Sequence, residues 1–437
     1  MISPSRRLVV ALALSAIPFL LEVWMPGLAR VGGIATALLL LAVLIDGATT
    51  PTTASFTISL RPPSALGLGR EESIGVEIRN GSRRRQEGWI RVQVPETWTV
   101  PALLQPLDLE PLRIGETVYR ATPGKRGKQE LGPVFIRLLS PLGLLWRDLR
   151  VDARVQAKIY PALGSVRQVD FLSRRLRLRD LGLRVQRQRG QGMEFERLRD
   201  HHPDDGLRRI DWKATARRGR FITREYQIER CQNVVLMIDA GRMMTEEVDG
   251  IVKIEYVLRA ALLLARIAAQ FDDRVGALVF SERVERLTPL RKGHGAVRAL
   301  ADALYEIEPQ LCEANYEAAF GALNSQYRKR ALVVLFTNLV DQGTSGLVAG
   351  YLKAVRARHV PLCVAVGDRE TRETAWRSPG TVDEAYRKAA AAQLLIGRAR
   401  TVHELQRSGV QVIDAPAGEI SVQLMNKYLD LKARQVL

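Results

Sequence analysis

The first fifty residues constrain this chain most. Leu8 to Leu21 is an unbroken run of apolar and small residues, and a second run goes from Val31 to Ile45 after Glu22, Trp24, Pro26 and Arg30. A bilayer core takes roughly 20 helical residues at about 1.5 Å each, a length either run reaches once its flanks are counted. Pro26-Gly27 and Gly32-Gly33 supply a turn, and Trp24 suits the interfacial belt. Residues 1–48 are therefore expected to form a two-helix transmembrane hairpin. A cleaved leader is the competing reading, and the second apolar run directly behind the first speaks against it. Two spans return the chain to its starting side, and Arg6 and Arg7 put that side in the cytoplasm. The expected location is the cell (inner) membrane, with the lipid bilayer as one partner and the soluble domains facing the cytoplasm.

A length of 437 residues exceeds one ordinary core, and 46% hydrophobic with 26% charged residues describes folded domains. The net charge of +18 invites either nucleic acid or an anionic membrane surface. Cys231, Cys312 and Cys363 are far apart, odd in number and without metal-ligand spacing, so no disulfide framework is expected.

From 50 to 161 the pattern turns to short alternating segments such as Phe56–Leu60, Ser73–Ile78 and Trp89–Val94, bounded by Asn80-Gly81, Pro95 and Pro123-Gly124. Period-two alternation between turn residues predicts half-buried antiparallel strands, hence a small all-β, immunoglobulin-like sandwich. Residues 162–232 follow as a basic linker and a motif-bearing segment. Arg174 to Arg189 holds seven arginines against one acid, Asp180, with no interleaved aromatic residue for base stacking. Contact with anionic lipid or an acidic protein surface therefore suits it better than nucleic acid.

The motif itself runs Gly192-Met193-Glu194-Phe195-Glu196-Arg197-Leu198-Arg199, then Pro203-Asp204-Asp205, then Arg208-Arg209-Ile210-Asp211-Trp212-Lys213-Ala214. Carboxylates and guanidiniums alternating around Phe195 and Trp212 predict a semi-buried ion network that fastens this segment to the next domain. His201 and His202 are adjacent and lack i, i+4 spacing, which argues against a metal site with Asp204, Asp205 and Asp211.

From 233 to 437, apolar runs at Val234–Ile238, Arg274–Phe280, Leu332–Phe336 and Pro361–Val366 alternate with helical patterns, one of them near Lys253 to Gln270. β-Rich runs separated by helices predict an α/β domain with a mostly parallel, Rossmann-like sheet and a ligand position at the carboxyl edge of its strands.

The motif resembles the signature of the domain of unknown function 58 family, with Gly192, Glu194, Phe195, Arg199, Pro203, Asp205, Arg208, Asp211 and Trp212 among the matching residues and His201 where the family has Tyr. The resemblance implies a membrane hairpin, a β domain and a C-terminal von Willebrand factor A-like domain. It also implies a partnership with a MoxR-type AAA+ ATPase in chaperone-like assembly or maturation of other proteins. In von Willebrand factor A domains the sheet edge carries a metal-ion-dependent adhesion site. Its Asp-x-Ser-x-Ser turn aligns with Asp239-Ala240-Gly241-Arg242-Met243, where Asp239 alone survives as a ligand. Asn315 and the Thr337-Asn338 pair stand near the remaining ligand positions, so weak Mg²⁺ binding or none is expected, and no cofactor. The edge residues Asp239, Gly241, Arg242, Met243, Asn315, Thr337 and Asn338 are then expected to meet a protein partner.

No phosphate-binding glycine loop, Gly-x-Ser-x-Gly elbow or HExxH is present, so neither catalysis nor a small-molecule substrate is expected. The expected function is a membrane-anchored, non-catalytic adaptor; the alternative is a membrane-associated nucleic-acid-binding protein using the basic segment.

Overall fold

The computed structural model describes residues 2–161, 194–202, 210–227, 231–339 and 342–434, which lie in two compact units, Met1–Ala162 and Leu163–Leu437. The arginine run at 174–189 falls outside the described residues.

In the first unit a short strand β1 (Ile2–Pro4) leads into helix α1 (Arg6–Leu21), and α2 (Leu28–Thr49) packs against it. Leu28–Thr49 is long and apolar enough to cross a membrane, at about 33 Å. The 16 residues of α1 span only about 24 Å. Eleven strands in all build the remainder: β2 (Phe56–Arg61), β3 (Leu66–Gly67), β4 (Glu72–Asn80), β5 (Gln86–Val92), β6 (Gln105–Leu109), β7 (Ile114–Ala121), β8 (Gly127–Leu131), β9 (Val134–Leu139), β10 (Leu145–Val151) and β11 (Val155–Tyr160), with β1. They form sheets ordered β1-β10-β9-β5-β6, β2-β4-β7 and β3-β11-β8. Strict alternation makes the sandwich: β2 reads buried-exposed throughout, and its inward Phe56, Ile58 and Leu60 join Ile74, Val76 and Ile78 of β4 in one core with Ile90, Leu107 and Ile136.

The helices are tied to this sandwich at one turn, Ser140–Leu145. Ser5, the N-cap of α1, donates through Oγ to the Gly143 carbonyl at 2.6 Å, and its amide donates to the Leu144 carbonyl at 2.9 Å. From the last turn of α2 the fully buried Asp46 accepts the Leu142 N–H at 2.8 Å, the Leu144 N–H at 3.2 Å and the Ser140 hydroxyl. The start of α1 and the end of α2 thus converge on the same six-residue turn.

In the second unit β12 (Glu194–Asp200) pairs antiparallel with β13 (Ile222–Gln227), the short helix α3 (Trp212–Arg218) lying between them in sequence. Then β14 (Asn233–Asp239), a two-strand flap β15 (Glu247–Val248) and β16 (Ile251–Val252), α4 (Lys253–Gln270), β17 (Arg274–Phe280) and β18 (Val284–Lys292) follow. The chain continues with α5 (Gly293–Leu304), α6 (Tyr316–Gln326), β19 (Leu332–Thr337), α7 (Gln342–Val355), β20 (Val360–Gly367), α8 (Arg369–Trp376), α9 (Val382–Arg407), β21 (Gln411–Pro416) and α10 (Ile420–Ala433).

The six-stranded sheet is ordered β18-β17-β14-β19-β20-β21, parallel except for the antiparallel edge strand β18. Its inner strands β14, β17, β19 and β20 are almost wholly apolar and buried because helices cover both faces. Val234, Leu236 and Ile238 of β14 enter a core with α4, α5 and α10, while Val235 and Met237 enter the opposite core with α6, α7 and α9. The edge strand β18 is mostly polar and partly exposed, with Glu285, Arg286, Arg291 and Lys292 along it, and its pairing with β17 shifts register twice.

Helix α10 is pinned by a buried acid. Asp273 accepts from the Tyr428 hydroxyl, from Lys432 Nζ at 2.6 Å and from the Gln232 N–H at 2.9 Å. Asp273→Ala strands those donors in a largely dry site and is expected to cost about 3 kcal/mol, read from urea unfolding followed by far-ultraviolet circular dichroism. A loss below about 1 kcal/mol would show that the donors find water instead.

Candidate functional site

The site grows out of strand parity. Residues 235 and 237 of β14 face the α6 side of the sheet, so Asp239, the next odd residue, points there too. Val333 and Leu335 set the same parity for Thr337 at the end of β19. Helix α6 covers this face and begins with Tyr316, whose hydroxyl reaches both. Asp239 Oδ2 lies 2.8 Å from the Tyr316 hydroxyl and 2.9 Å from Thr337 Oγ1, which are 2.7 Å from each other, while Oδ1 accepts the Gly241 N–H at 2.8 Å.

Both hydroxyls donate to Asp239 Oδ2, so the buried carboxyl is satisfied within the fold by two hydroxyls and the Gly241 N–H. Burial pushes the Asp239 carboxyl above its usual range, against the lowering effect of the Gly241 N–H and the two hydroxyls, and burial likewise raises the Tyr316 phenol.

This geometry fits Mg²⁺ badly. A cation would have to displace the Tyr316 hydroxyl from the one inward carboxylate, and the other expected oxygens are engaged elsewhere. Asn315 Oδ1 caps α6 by accepting the Ala318 N–H at 2.9 Å. Asn338 Oδ1 accepts from Arg398 Nη1 at 3.1 Å, and Arg398, buried in α9, also donates from Nε to Asp414 at 2.8 Å. Among the described residues no group of three His, Cys, Asp or Glu side chains comes together as a metal site.

Of the expected edge residues, Asp239, Gly241, Thr337 and Asn338 are buried, and they support the edge from below. Gly241 has no room for a side chain, since an added Cβ would sit 3.0 Å from the Cys312 carbonyl and 3.1 Å from Asp239 Oδ1. Arg242 and Asn315 are exposed and Met243 half-buried; Arg242 pairs with Glu313 at 2.7 Å across the neighbouring loop. Sequence reading missed Tyr316 and Arg398. The Asn315-Tyr316 pair at a helix start was a weak signal for the first, whereas the partners of Arg398 lie 60 residues upstream and 16 downstream. Cys363 is fully buried in β20, where burial pushes its thiol up to about 12.

Of the expected ion network, the side chains of Glu194, Phe195, Arg197 and Arg199 lie outside what is described, and Arg220 pairs with Asp200 at 2.9 Å. Trp212 is 64% exposed, meeting Phe221 edge-on at a centroid distance of 6.4 Å rather than anchoring a core. Asp211 serves as the N-cap of α3, accepting the Ala214 N–H at 3.0 Å, and His201 Nδ1 pairs with Thr223 Oγ1 at 2.8 Å. The backbones of Glu194, Phe195 and Arg199 run in β12 opposite Gln227, Tyr226 and Thr223. Gly192, Pro203, Asp205 and Arg208 lie outside the described residues.

Asp239→Asn keeps a hydrogen-bonding amide against both hydroxyls, so its thermal midpoint should fall little, while Asp239→Ala should cost about 2 kcal/mol by orphaning three donors. Because the folded carboxyl titrates above the unfolded one, wild type should hold this contribution below about pH 4 and lose stability relative to Asp239→Asn as pH rises through the folded value. Millimolar Mg²⁺ should leave the wild-type midpoint unmoved; a clear rise would restore the cation site.

Curated relatives are distant. An uncharacterized protein of Mycobacterium tuberculosis (strain ATCC 25618 / H37Rv) and one of Mycobacterium bovis are each 25% identical over 183 residues, 41% of this chain and 56% of theirs. The chain thus spans about half the length of the curated relatives it matches. Among solved structures, a CARDB domain from Pyrococcus furiosus overlaps 24% of this chain and 91% of its own at 14% identity and a TM-score of 0.18. A FixG-related protein from Vibrio parahaemolyticus overlaps 24% and 96% at 10% identity and a TM-score of 0.18, too low, like the first, to bear on fold or function. Residues 197–383, which take in the end of β12, the site around Asp239 and four parallel strands of the six-stranded sheet, match the family described as protein of unknown function DUF58.

Proposed function

We propose that this chain is a membrane-anchored adaptor without catalysis of its own, whose C-terminal unit is von Willebrand factor A-like and binds a protein partner at the carboxyl edge of its sheet. The observation that carries this reading is the closed ring of Asp239, Tyr316 and Thr337. It leaves the site saturated from within, while Arg242, Met243 and Asn315 offer charge, a flexible apolar side chain and an amide beside it. Recognition there would run through direct contacts rather than a bridging cation. The apolar Leu28–Thr49 helix supports a two-helix membrane hairpin, and Arg6 and Arg7 support a cytoplasmic setting for both units. The partner that the family resemblance suggests is a MoxR-type AAA+ ATPase, acting with this chain in assembly or maturation of other proteins.

The test is capture of a purified MoxR-type ATPase on the immobilised full chain in detergent, with and without ATP. Binding is expected to survive a chelator and to weaken at least about tenfold in Arg242→Glu, on the scale of a lost interfacial charge contact. No capture in either nucleotide state sinks the proposal, and chelator-sensitive capture would replace the cation-free mode with a metal-bridged one.

A further inference from the structure

The Ser140–Leu145 turn carries more than a link between strands. Asp46 sits three residues before the end of α2, about 4.5 Å inside the helix. Its carboxylate holds the Leu142 and Leu144 amides and the Ser140 hydroxyl, so the turn is fixed beside the last helical turn rather than below it. Arg147, two residues beyond Leu145, donates through Nη1 to the Thr50 carbonyl, and β1 pairs Ile2 with Arg147 and Pro4 with Leu145. Leu145 also packs at Gly47, where an added Cβ would lie 3.4 Å from its Cδ1. The turn, the start of α1 and the end of α2 are therefore one clamped assembly within the first unit.

What that assembly shows to its surroundings is apolar. Leu142, at the tip, is 54% exposed, and Pro141 beside it is exposed. The residues just before Asp46, Leu44 and Ile45, are 70% and 51% exposed, and Ile2 is 51% exposed. Arg6 and Arg7 are exposed at the same base, with the Arg7 guanidinium lying against Gly143. An apolar rim with cations at the foot of an apolar helix matches the boundary between acyl chains and anionic headgroups.

We propose that the Ser140–Leu145 turn is a third membrane-contacting element, with Pro141 and Leu142 seated in the headgroup boundary of an anionic bilayer and Arg6 and Arg7 against its phosphates. This rests on the reading that the N-terminal helices span a membrane. The occupant is lipid because the exposed surface of the turn is continuous with that of α2 and carries charge opposite to the anionic leaflet. The buried Asp46 then acts as the latch that fixes the depth of the sandwich at the bilayer.

The full chain carrying Cys231→Ser and Cys312→Ser, with Cys363 left buried, takes a single label at Leu142→Cys, Leu38→Cys or Arg113→Cys. An environment-sensitive fluorophore at each position is read in phosphatidylcholine–phosphatidylglycerol vesicles containing lipids spin-labelled near the headgroup for Leu142 and deep in the acyl chain for Leu38, with Arg113 read against both. Quenching several-fold above the Arg113 position is expected at both Leu38 and Leu142. Quenching at Leu38 alone overturns the proposal and leaves the helices inserted; quenching at neither overturns the membrane reading itself. Replacing phosphatidylglycerol with phosphatidylcholine should weaken quenching at Leu142 while sparing Leu38, and an unchanged Leu142 signal overturns the part assigned to Arg6 and Arg7.

Discussion

A carboxyl group closed off from water needs donors or a proton, and the second unit is organised around meeting that demand at Asp239. Burying both faces of the parallel sheet makes side-chain parity unforgiving, since every second residue must enter one core or the other. Parity aims Asp239 and Thr337 at the same helix start, and Tyr316 brings the hydroxyl that closes the set. The phenol does here what a cation does at a conventional metal site, but it is covalently part of the chain and cannot dissociate. An edge built this way holds its inward side chains without a separate ion.

Much of the architecture was legible because it rests on local periodicity. The helix at Lys253–Gln270 and the strand at Arg274–Phe280 fall where the apolar spacing predicted them, and sandwich strands occupy the period-two segments Phe56–Leu60, Ser73–Ile78 and Trp89–Val94. The retention of Asp239 without its hydroxyl companions was also readable from the turn itself. Its actual companions were not, because Tyr316 and Thr337 lie 77 and 98 residues away and only the folded sheet brings them together.

The central segment shows the opposite limit. A high density of Arg, Asp and Glu conceals alternation, so Glu194–Asp200 and Ile222–Gln227 did not read as a hairpin although they pair over most of their length. The same charges suggested a buried or semi-buried ion network around Phe195 and Trp212, and the Trp212 ring itself stands in solvent beside Phe221. Aromatic residues in charged surroundings are ambiguous in sequence, since a ring can anchor a core or cover a surface pair with equal local grammar.

The polar edge strand β18 bears on how many copies can share a small area. Tethering to a surface confines molecules to two dimensions and raises the frequency with which sheet edges meet. An open, apolar edge would then recruit a neighbour's strand and grow into a ribbon. Glu285, Arg286, Arg291 and Lys292, with two breaks in pairing register, deny β18 the flat, uncharged profile such growth requires. On a bilayer, as proposed above, crowding would therefore leave the β18 edges of neighbouring copies unpaired with one another.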